Sequence, residues 1–285
     1  MQVRRKQRAA AGAAAHDFLL RHVAEDLADR LTFIRRVFPV AVNLGAYHGV
    51  LSRRLRGVAG IETMLDLEAA ADLLAQCPGE HLCADEEFLP LAPASVDLVV
   101  SALSLQLVND LPGVLVQARR ALKPDGLLLV ALLGGGTLAE LREAFVQAES
   151  ELEGGASPRV APFADVRDLG GLLQRAGFAL PVTDSERLQV AYDSALDLMR
   201  DIRMMGASNS LRDRRRTFLR RTTLMRAAEI YAERFARADG RVLATFEIVT
   251  LTAWAPHESQ QKPLQPGSAK ARLADALGVP EKKAE

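Results

Sequence analysis

The chain has 285 residues, enough for one large domain or two small ones. Apolar residues make up 49% and charged residues 25%, a composition that excludes wholesale disorder. The 36 Lys and Arg residues equal the 36 Asp and Glu residues in number, so no overall positive field attracts nucleic acid or anionic lipid. No uncharged apolar run approaches the length of about 18 residues that a transmembrane helix needs. We therefore expect no nucleic-acid partner and no transmembrane segment.

The cysteine count and the N-terminus bear on the cellular compartment. Cys77 and Cys83 are too few for a four-thiolate zinc site or a disulfide framework, which favours a reduced chain in a bacterial cytoplasm. The first 16 residues have no acidic residue, an alanine run and four basic residues. That pattern resembles a transit peptide, which keeps the mitochondrial matrix as an alternative, but an amphipathic helix is favoured. The four basic residues are Arg4, Arg5, Lys6 and Arg8.

Strands and helices alternate through the first half of the chain. Apolar spacings of three and four predict a helix between residues 16 and 37, which Pro39 ends. Short apolar runs then predict buried strands, with periodic helices between them. In chain order these are strand 40–44, helix 50–55, strand 61–65, helix 68–76, strand 96–100, helix 115–122 and strand 127–133. Strands that are apolar on both faces imply a doubly wound α/β unit with a parallel sheet.

The second half adds helices and two strands of a different pattern. Strands 187–192 and 242–254 partly alternate polar and apolar residues, which favours an antiparallel edge. The predicted helices are 138–152, 166–176, 195–205 and 222–235. We expect a Rossmann-like α/β domain with a helical insertion. The expected divisions are an N-terminal helical segment 1–38, a domain 39–254 with its insertion at about 194–238, and a tail 255–285 with a short helix at 269–277.

The loop after the first strand is the place to look for a ligand, because ligands in open α/β sheets bind where the strand order reverses. Residues 43–49 read Asn-Leu-Gly-Ala-Tyr-His-Gly. Gly45 allows a sharp turn, Gly49 allows a close approach, and the helix that follows offers free amides to an anionic group. Asp66, about 20 residues further on, suits the ribose hydroxyls of a nucleotide. In segment 84–90, a carboxylate could accept a hydrogen bond from an adenine amino group.

Together these segments resemble a class I S-adenosylmethionine-dependent methyltransferase. The closer similarity is to the mitochondrial complex I assembly factors described as arginine hydroxylases, and to their bacterial relatives. The superfamily resemblance rests on 43–49, Asp66, 85–90 and 123–126. The closer similarity rests on 85–90, 101–105, 108–112, 153–155 with 157–158, Trp254 with 257–260, and 267–269.

The resemblance implies S-adenosylmethionine as the cofactor and assigns a set of binding residues. It implies that Gly45 and Gly49 shape the methionine pocket, that Asp66 holds the ribose, and that Asp85 meets the adenine with Glu86 beside it. The full set of expected cofactor-binding residues is Gly45, Ala46, Gly49, Asp66, Leu67, Asp85, Glu86 and Ser101.

The sequence departs from the family pattern at three places. Asn43 stands where the family has an acid, and Tyr47 stands at the middle glycine of the loop. A side chain at that point of close approach must turn away or clash. Relatives carry a His-Trp pair where this chain has Gln106 and Leu107. Cofactor binding is still the favoured interpretation, and these changes leave a weak or absent cofactor site open as the alternative.

Candidate catalytic groups are few, and no catalytic residue is assigned. Methyl transfer needs mainly that the acceptor be held against the methyl group. His48 has a suitable pKa range for a base, although a partly exposed loop histidine is the favoured interpretation. Gln106 and Asn109 can orient an acceptor without taking its proton, and Asn109 or Asp110 also fits a helix N-cap. The five histidines show no metal-ligand spacing, so no metal site is expected.

These features favour an S-adenosylmethionine-dependent methyltransferase-type enzyme that modifies a protein and is linked to respiratory complex I assembly. Two alternatives remain open. One is a non-catalytic assembly factor that presents the arginine-rich segment 212–226 to an acidic partner, although a solvated surface is the commoner role of such a segment. The other is protein arginine hydroxylation, which enters through the resemblance alone because a sulfonium cofactor does not activate oxygen.

Overall fold

The computed structural model describes residues 2–261 and Gly278. The predicted tail helix at 269–277 lies outside the described residues. The strands are β1 (Val40–Leu44), β2 (Thr63–Leu67), β3 (Glu80–Leu82), β4 (Val96–Ala102), β5 (Leu122–Leu133), β6 (Ala179–Tyr192) and β7 (Val242–Trp254). The helices are α1 (Gln2–Ala9), α2 (Phe18–Thr32), α3 (Val50–Leu55), α4 (Ala71–Leu74), α5 (Leu111–Ala121), α6 (Ala139–Glu153), α7 (Val166–Arg175), α8 (Ala195–Met204) and α9 (Arg221–Phe235).

The seven strands form one sheet in the order β3-β2-β1-β4-β5-β7-β6. The pairs from β3 through β5 are parallel, whereas β7 is antiparallel to both β5 and β6. The predicted doubly wound, mostly parallel Rossmann-like fold with an antiparallel edge is therefore confirmed. Of the two late strands, only β7 runs against the rest, and β6 forms the outer edge.

Both faces of the sheet are buried, as the apolar strands predicted. In β4, Leu98 and Val100 pack into one core cluster with α2, α6 and α9, while Val99 packs into a second cluster with α5 and α7. Successive side chains on a strand point to opposite faces, so this alternation places helices on each side. None of the helices within residues 2–261 is long and apolar enough to span a bilayer.

Several predicted boundaries are wrong, and two of these errors affect the site. β2 continues to Leu67 instead of ending at residue 65, and the predicted helix at 68–76 shortens to α4. β3 was not predicted because its three residues are all exposed and carry no apolar pattern. β6 begins at Ala179, well before the predicted residue 187, and β5 absorbs the predicted turn at 123–126. One predicted helix cap is confirmed: the Asp110 side chain caps α5 by accepting a hydrogen bond from Gly113 N.

Candidate functional site

The candidate site lies at the carboxyl ends of β1, β2 and β4. β1 is hydrogen-bonded to β2 on one side and to β4 on the other, so the chain order of the strands reverses there. A crevice suited to ligands opens beyond such a reversal point. The loop 45–49 leaves β1 at this position and forms the floor of the crevice.

Gly45 makes the first turn of this loop and is crowded on its side-chain face. Its φ of +65° lies in the left-handed region that glycine favours. A Cβ atom at this position would overlap Ser104 Oγ and lie 2.9 Å from Glu86 Oε1. Gly45 therefore allows the loop backbone to approach these two side chains, which confirms the predicted sharp turn.

Ala46, Leu67 and Gly49 fasten the loop to its neighbours. Ala46 is buried, and its amide donates to the Leu67 carbonyl at 2.9 Å. A Cβ atom on Gly49 would lie 2.5 Å from Pro78 Cδ and 3.0 Å from Cys77 Cα. The close approach predicted at Gly49 is therefore an approach to the segment after α4.

Tyr47 takes a strained backbone conformation but turns its ring out of the loop. Its φ is +54°, and its phenol donates to the Met205 carbonyl at 3.1 Å. Burial, with the charges of Glu68 and Asp17, raises the pKa of this phenol to about 12, so it remains protonated. The side chain therefore avoids a clash with the loop backbone by reaching towards Met205, but it does not leave the site: Tyr47 and Met205 both line the crevice.

The structure places Asp66 beneath the loop, where it contacts β1 and α3. Its Oδ1 accepts from Asn43 Nδ2 at 2.9 Å and also from Ser52 Oγ, and the residue has no exposed surface. Burial raises the pKa of this carboxyl, although the two hydrogen bonds oppose the rise. Asp66 does not line the crevice, so this geometry does not support the expectation that it holds a ribose.

Glu68, which sequence reasoning missed, occupies the position expected of Asp66. It is the first residue after β2, and its carboxylate accepts from the amides of Tyr47 and Ala70, each at 3.0 Å. β2 is two residues longer than predicted, which explains why the acid at its end is Glu68 and not Asp66. Glu68 lies beyond the last paired residue of β2, and its side chain points towards Lys6 and the Tyr47 amide, whereas that of Asp66 points towards Asn43 and Ser52. Glu68 is fully buried.

Glu86 faces the crevice, whereas Asp85 does not reach its interior. Glu86 Oε1 accepts from Ser104 Oγ at 2.8 Å. Asp85 is exposed, and its carboxylate accepts from Glu87 N at 2.9 Å within its own loop. Glu86 therefore lies inside the crevice and Asp85 at its rim, whereas the resemblance implied that Asp85 would be the residue that meets the adenine.

Ser101 supports the site from below. Its hydroxyl donates to the Leu44 carbonyl at 2.7 Å, and the residue has no exposed surface. It therefore links β4 to β1 and leaves no free surface for a cofactor. Ser104, three residues later, supplies the hydroxyl that faces the crevice.

Lys6, on the N-terminal helix α1, lies between Glu68 and Glu86. Glu86 lines the crevice, whereas Glu68 is buried against Lys6 and does not line it. Its Nζ is 3.0 and 2.9 Å from the two Glu68 oxygens and 3.0 Å from Glu86 Oε1. Burial alone would lower the pKa of this ammonium, but the charges of Glu68 and Glu86 outweigh burial and raise it. Burial likewise would raise the pKa of Glu86, but Lys6 and the hydrogen bonds lower it overall.

The crevice consists of two chambers, and the Lys6 side chain lies where they meet, because Lys6, Ser104 and Leu107 line both. The first chamber, of about 150 Å³, has apolar walls that include Leu103, Phe163 and Met205, with His16, Gln106 and Arg159 as polar members. The second chamber, of about 170 Å³, is polar and includes Gln2, Asp85, Glu86 and Asn109.

The predicted acceptor-orienting residues separate in the structure. Gln106 donates to the Leu103 carbonyl at 2.7 Å, and its Oε1 is buried without a hydrogen-bond partner among the described residues. Asn109 instead holds Glu87 through its backbone and side-chain nitrogens, both at 2.7 Å. Gln106 is therefore the residue that presents an open acceptor to the first chamber.

The favoured interpretation of His48 as a partly exposed loop residue is wrong, and so is its alternative role as a site base. His48 is 3% exposed, with Nδ1 3.0 Å from Arg53 Nη2 and Nε2 3.3 Å from Asp17 Oδ2. Burial lowers the pKa of this imidazole. It lines neither chamber.

His16 was not considered as a base, yet it lines the first chamber. Its Nδ1 is 2.5 Å from Asp201 Oδ1, and Tyr192 donates to the other Asp201 oxygen at 2.8 Å. No sequence signal joins His16 to Asp201, because they are far apart in the chain. Within residues 2–261, no cluster of three or more His, Cys, Asp or Glu side chains has the arrangement of a metal site.

Comparison with known proteins agrees with this geometry. Residues 38–130 match the family model described as a methyltransferase domain. The Danio rerio protein named arginine-hydroxylase NDUFAF5, mitochondrial, is 40% identical over 268 residues, which cover 91% of this chain and 82% of that protein. The chain belongs to the NDUFAF5 family of class I methyltransferase-fold proteins. The resemblance inferred from the sequence is confirmed.

Similarity extends beyond NDUFAF5 to bacterial enzymes and to solved structures. The malonyl-[acyl-carrier protein] O-methyltransferase of Laribacter hongkongensis is 36% identical over 265 residues, which cover 87% of this chain and 86% of that enzyme. The Haemonchus contortus phosphoethanolamine N-methyltransferase 2, in complex with S-adenosylhomocysteine, superposes with a TM-score of 0.52 at 14% identity. That match covers 82% of this chain and 52% of the nematode chain, and it shows a shared fold.

Proposed function

We propose that this chain binds S-adenosylmethionine at the carboxyl edge of the sheet and is a methyltransferase-type enzyme that modifies a protein during respiratory complex I assembly. The observation that carries the proposal is the pair of buried carboxylates, Glu68 and Glu86, that flanks the Gly45 turn where the strand order reverses. The mitochondrial NDUFAF5 proteins and the bacterial methyltransferases support the activity class. They are also compatible with a bacterial cytoplasm or, alternatively, a mitochondrial matrix.

The residues present fit a nucleoside by their chemistry. Glu68 accepts hydrogen bonds at both oxygens, and a ribose offers two hydroxyl donors to such a group. Glu86 accepts from a hydroxyl and an ammonium, so an adenine amino group suits it equally. Gly45 and Ala46 keep the loop free of bulky side chains on this path. The Lys6 side chain must leave its present position before a nucleoside can lie between the carboxylates.

When bound, the cofactor supplies an electrophilic methyl group on a cationic sulfur. This chain positions the acceptor in the first chamber, whose apolar walls exclude water. Gln106 Oε1 orients the acceptor by accepting its N–H or O–H. His16 replaces His48 as the candidate base, because Asp201 holds its Nδ1 and leaves Nε2 to take a proton.

Calorimetric titration with S-adenosylmethionine and S-adenosylhomocysteine tests the proposal. Glu68→Gln should weaken binding by about tenfold or more, because hydrogen bonds to a charged group are lost. Asp66→Asn is the matched control, since its side chain faces away from the crevice, and it should bind like wild type. Loss of binding in Asp66→Asn alone would return the ribose role to Asp66. No binding to any form at millimolar cofactor would reject the enzyme proposal.

That last outcome would favour the second candidate, a non-catalytic assembly factor. A specific observation supports it, because the Lys6 ammonium occupies the carboxylates Glu68 and Glu86 that the proposal assigns to the cofactor. The arginine-rich segment is only partly neutralised within the described residues: Arg215 pairs with Glu153 and Arg226 with Glu151, while Arg212 and Arg216 are exposed. These exposed arginines would face an acidic partner.

A third candidate, protein arginine hydroxylation, is supported by the names of the NDUFAF5 relatives. It predicts that a partner arginine gains the mass of one oxygen atom in cells that contain the protein. An unmodified partner in the presence of the wild-type chain would reject it, whereas a methyl-group mass gain would support the leading proposal.

A further inference from the structure

Lys6 contacts two buried carboxylates at the crevice and belongs to the first helix of the chain. Its ammonium touches carboxylates from two separate elements, Glu68 after β2 and Glu86 after β3, at 2.9 to 3.0 Å. Lys6 itself is 7% exposed. No other salt bridge to either carboxylate occurs within the described residues. The ammonium is therefore the counter-charge that offsets the burial of these two acids.

The position of Lys6 is incompatible with a whole cofactor in the crevice. The chambers on its two sides measure about 150 and 170 Å³. Ligand pockets usually have volumes of roughly 300 Å³ or more, so neither chamber alone reaches that size. A ligand with a nucleoside at one end and an amino acid at the other must extend through both chambers. The side chain that lies where they meet must then be displaced.

Helix α1 is docked by contacts that can separate without disturbing the sheet. Besides the contacts of Lys6, the Arg5 guanidinium donates to the Ser208 carbonyl, and Val3 packs against a small buried cluster formed by Ala10, Ala13, Ala70 and Leu73. Gly206, whose missing side chain leaves room for α1, would place a Cβ atom 3.3 Å from Lys6 Cα. None of these contacts includes a strand of the sheet.

We propose that α1 is a displaceable strap and that Lys6 is a built-in competitor for the adenosyl cofactor. In the free chain, the Lys6 ammonium pairs with Glu68 and Glu86 and lies where the two chambers meet. The cofactor replaces it by donating ribose hydroxyls and the adenine amino group to the same carboxylates, and α1 then undocks. This inference rests on the proposed function and adds to it the control of cofactor entry by the chain's own N-terminal helix.

The test compares S-adenosylhomocysteine binding in the full-length wild type, Lys6→Ala and Arg8→Ala. Arg8 is exposed and belongs to the same helix, so Arg8→Ala is a matched control for charge and helix propensity. Calorimetry should show that Lys6→Ala binds at least tenfold tighter than wild type, whereas Arg8→Ala binds like wild type. Lys6→Met repeats the test with a longer side chain, should the alanine variant fail to give a cooperative thermal transition.

Hydrogen exchange of residues 2–15 gives a readout independent of affinity. In wild type, S-adenosylhomocysteine should increase exchange in this segment. In free Lys6→Ala, exchange should already be high and should change little on binding. Wild-type binding with equal or weaker binding by Lys6→Ala, or with protection of residues 2–15, would overturn the strap while leaving the proposed function intact. Absence of binding to all three proteins would overturn both.

Discussion

The Asn43 side-chain amide donates to the Asp66 carboxylate across the parallel pair β1 and β2, with Nδ2 and Oδ1 2.9 Å apart. Both residues are essentially without exposed surface. Asn43 stands where the family has an acid, and the structure shows what the amide does there: it stabilises a neighbouring carboxylate that burial already disfavours.

Asn43→Asp should destabilise the fold in a pH-dependent way. Two buried carboxylates would then face each other, and the loss should reach about 3 kcal/mol near pH 8. A carboxyl whose pKa is higher in the folded than in the unfolded state binds more protons when folded, so the unfolding free energy falls as pH rises. Urea denaturation at pH 5 and pH 8 should therefore show the larger loss at pH 8.

The double variant Asn43→Asp with Asp66→Asn is the control for that prediction. It exchanges the acid and the amide across the two strands and should recover most of the lost stability, because one carboxylate again faces one amide. Equal instability of the single and double variants would contradict the charge-pair explanation.

Glu86→Gln should lower stability at neutral pH but not in acid. The folded-state pKa of Glu86 lies below its ordinary value, so the carboxylate contributes stability above the unfolded pKa of about 4.3 and loses it as pH falls through the folded pKa. Thermal unfolding at pH 7 should reveal a loss of about 1.5 kcal/mol, the usual size for a hydrogen bond to a charged group.

The wild type and Glu86→Gln should converge as the buffer pH approaches the acid range. Glu80→Gln serves as the control, since Glu80 is exposed on β3, and it should match wild type at every pH. A constant difference between wild type and Glu86→Gln at all pH values would show that lost packing, and not lost charge, causes the effect.

Gly45→Ala should cost more stability than a left-handed conformation alone requires. Gly57 has a φ of +76° with no neighbour within 4 Å of a built Cβ, so Gly57→Ala reports the conformational cost by itself, about 1 kcal/mol. Gly45→Ala adds overlap with Ser104 and should lose about 3 kcal/mol. Denaturant unfolding of both variants measures the difference, and equal losses would contradict the crowding described at Gly45.

Arg159→Met should be strongly destabilising because it leaves a buried carboxylate unpaired. Arg159 Nε donates to Glu149 Oε1 at 2.8 Å, and the Glu149 side chain has no exposed surface. We expect a loss of about 3 kcal/mol by urea denaturation. Arg226→Met, which breaks solvent-screened ion pairs with Glu151, Glu229 and Glu233, should leave stability nearly unchanged. Similar losses in both variants would contradict the role of burial.

The sheet could be predicted because its central strands are short runs of apolar residues that are visible in the sequence alone. The buried valines and leucines of β1, β4 and β5 identified the central strands, and Asp110 identified the start of α5. The errors in strand boundaries arose where the local sequence shows no pattern of apolar residues. The sequence predicts the end of β2 at residue 65 because a charged residue follows, but the Asp66 carboxyl group is accommodated inside the sheet by hydrogen bonds from Asn43 and Ser52.

The site was only partly predictable, because its key contacts join distant segments. Gly45 and Glu86 could be found from the turn and from the acidic loop. Lys6 could not, since 62 residues separate it from Glu68 and 80 from Glu86, and a basic N-terminus is compatible with a solvated helix. Glu68 was recoverable in principle, because a two-residue extension of β2 moves the acid at its edge from position 66 to position 68.

Because α8 and α9 lie between β6 and β7 in the chain, some residues that line the first chamber belong to a different segment from the strands that hold the sheet together. β6 and β7 are paired along most of their length, so both ends of this excursion are fixed on one rigid ribbon. Ile202 and Met205, in and just after α8, nevertheless reach the wall of the first chamber. Substitutions within this excursion can therefore redesign what the chamber accepts, and homologues can diversify in target choice while inheriting an unchanged scaffold.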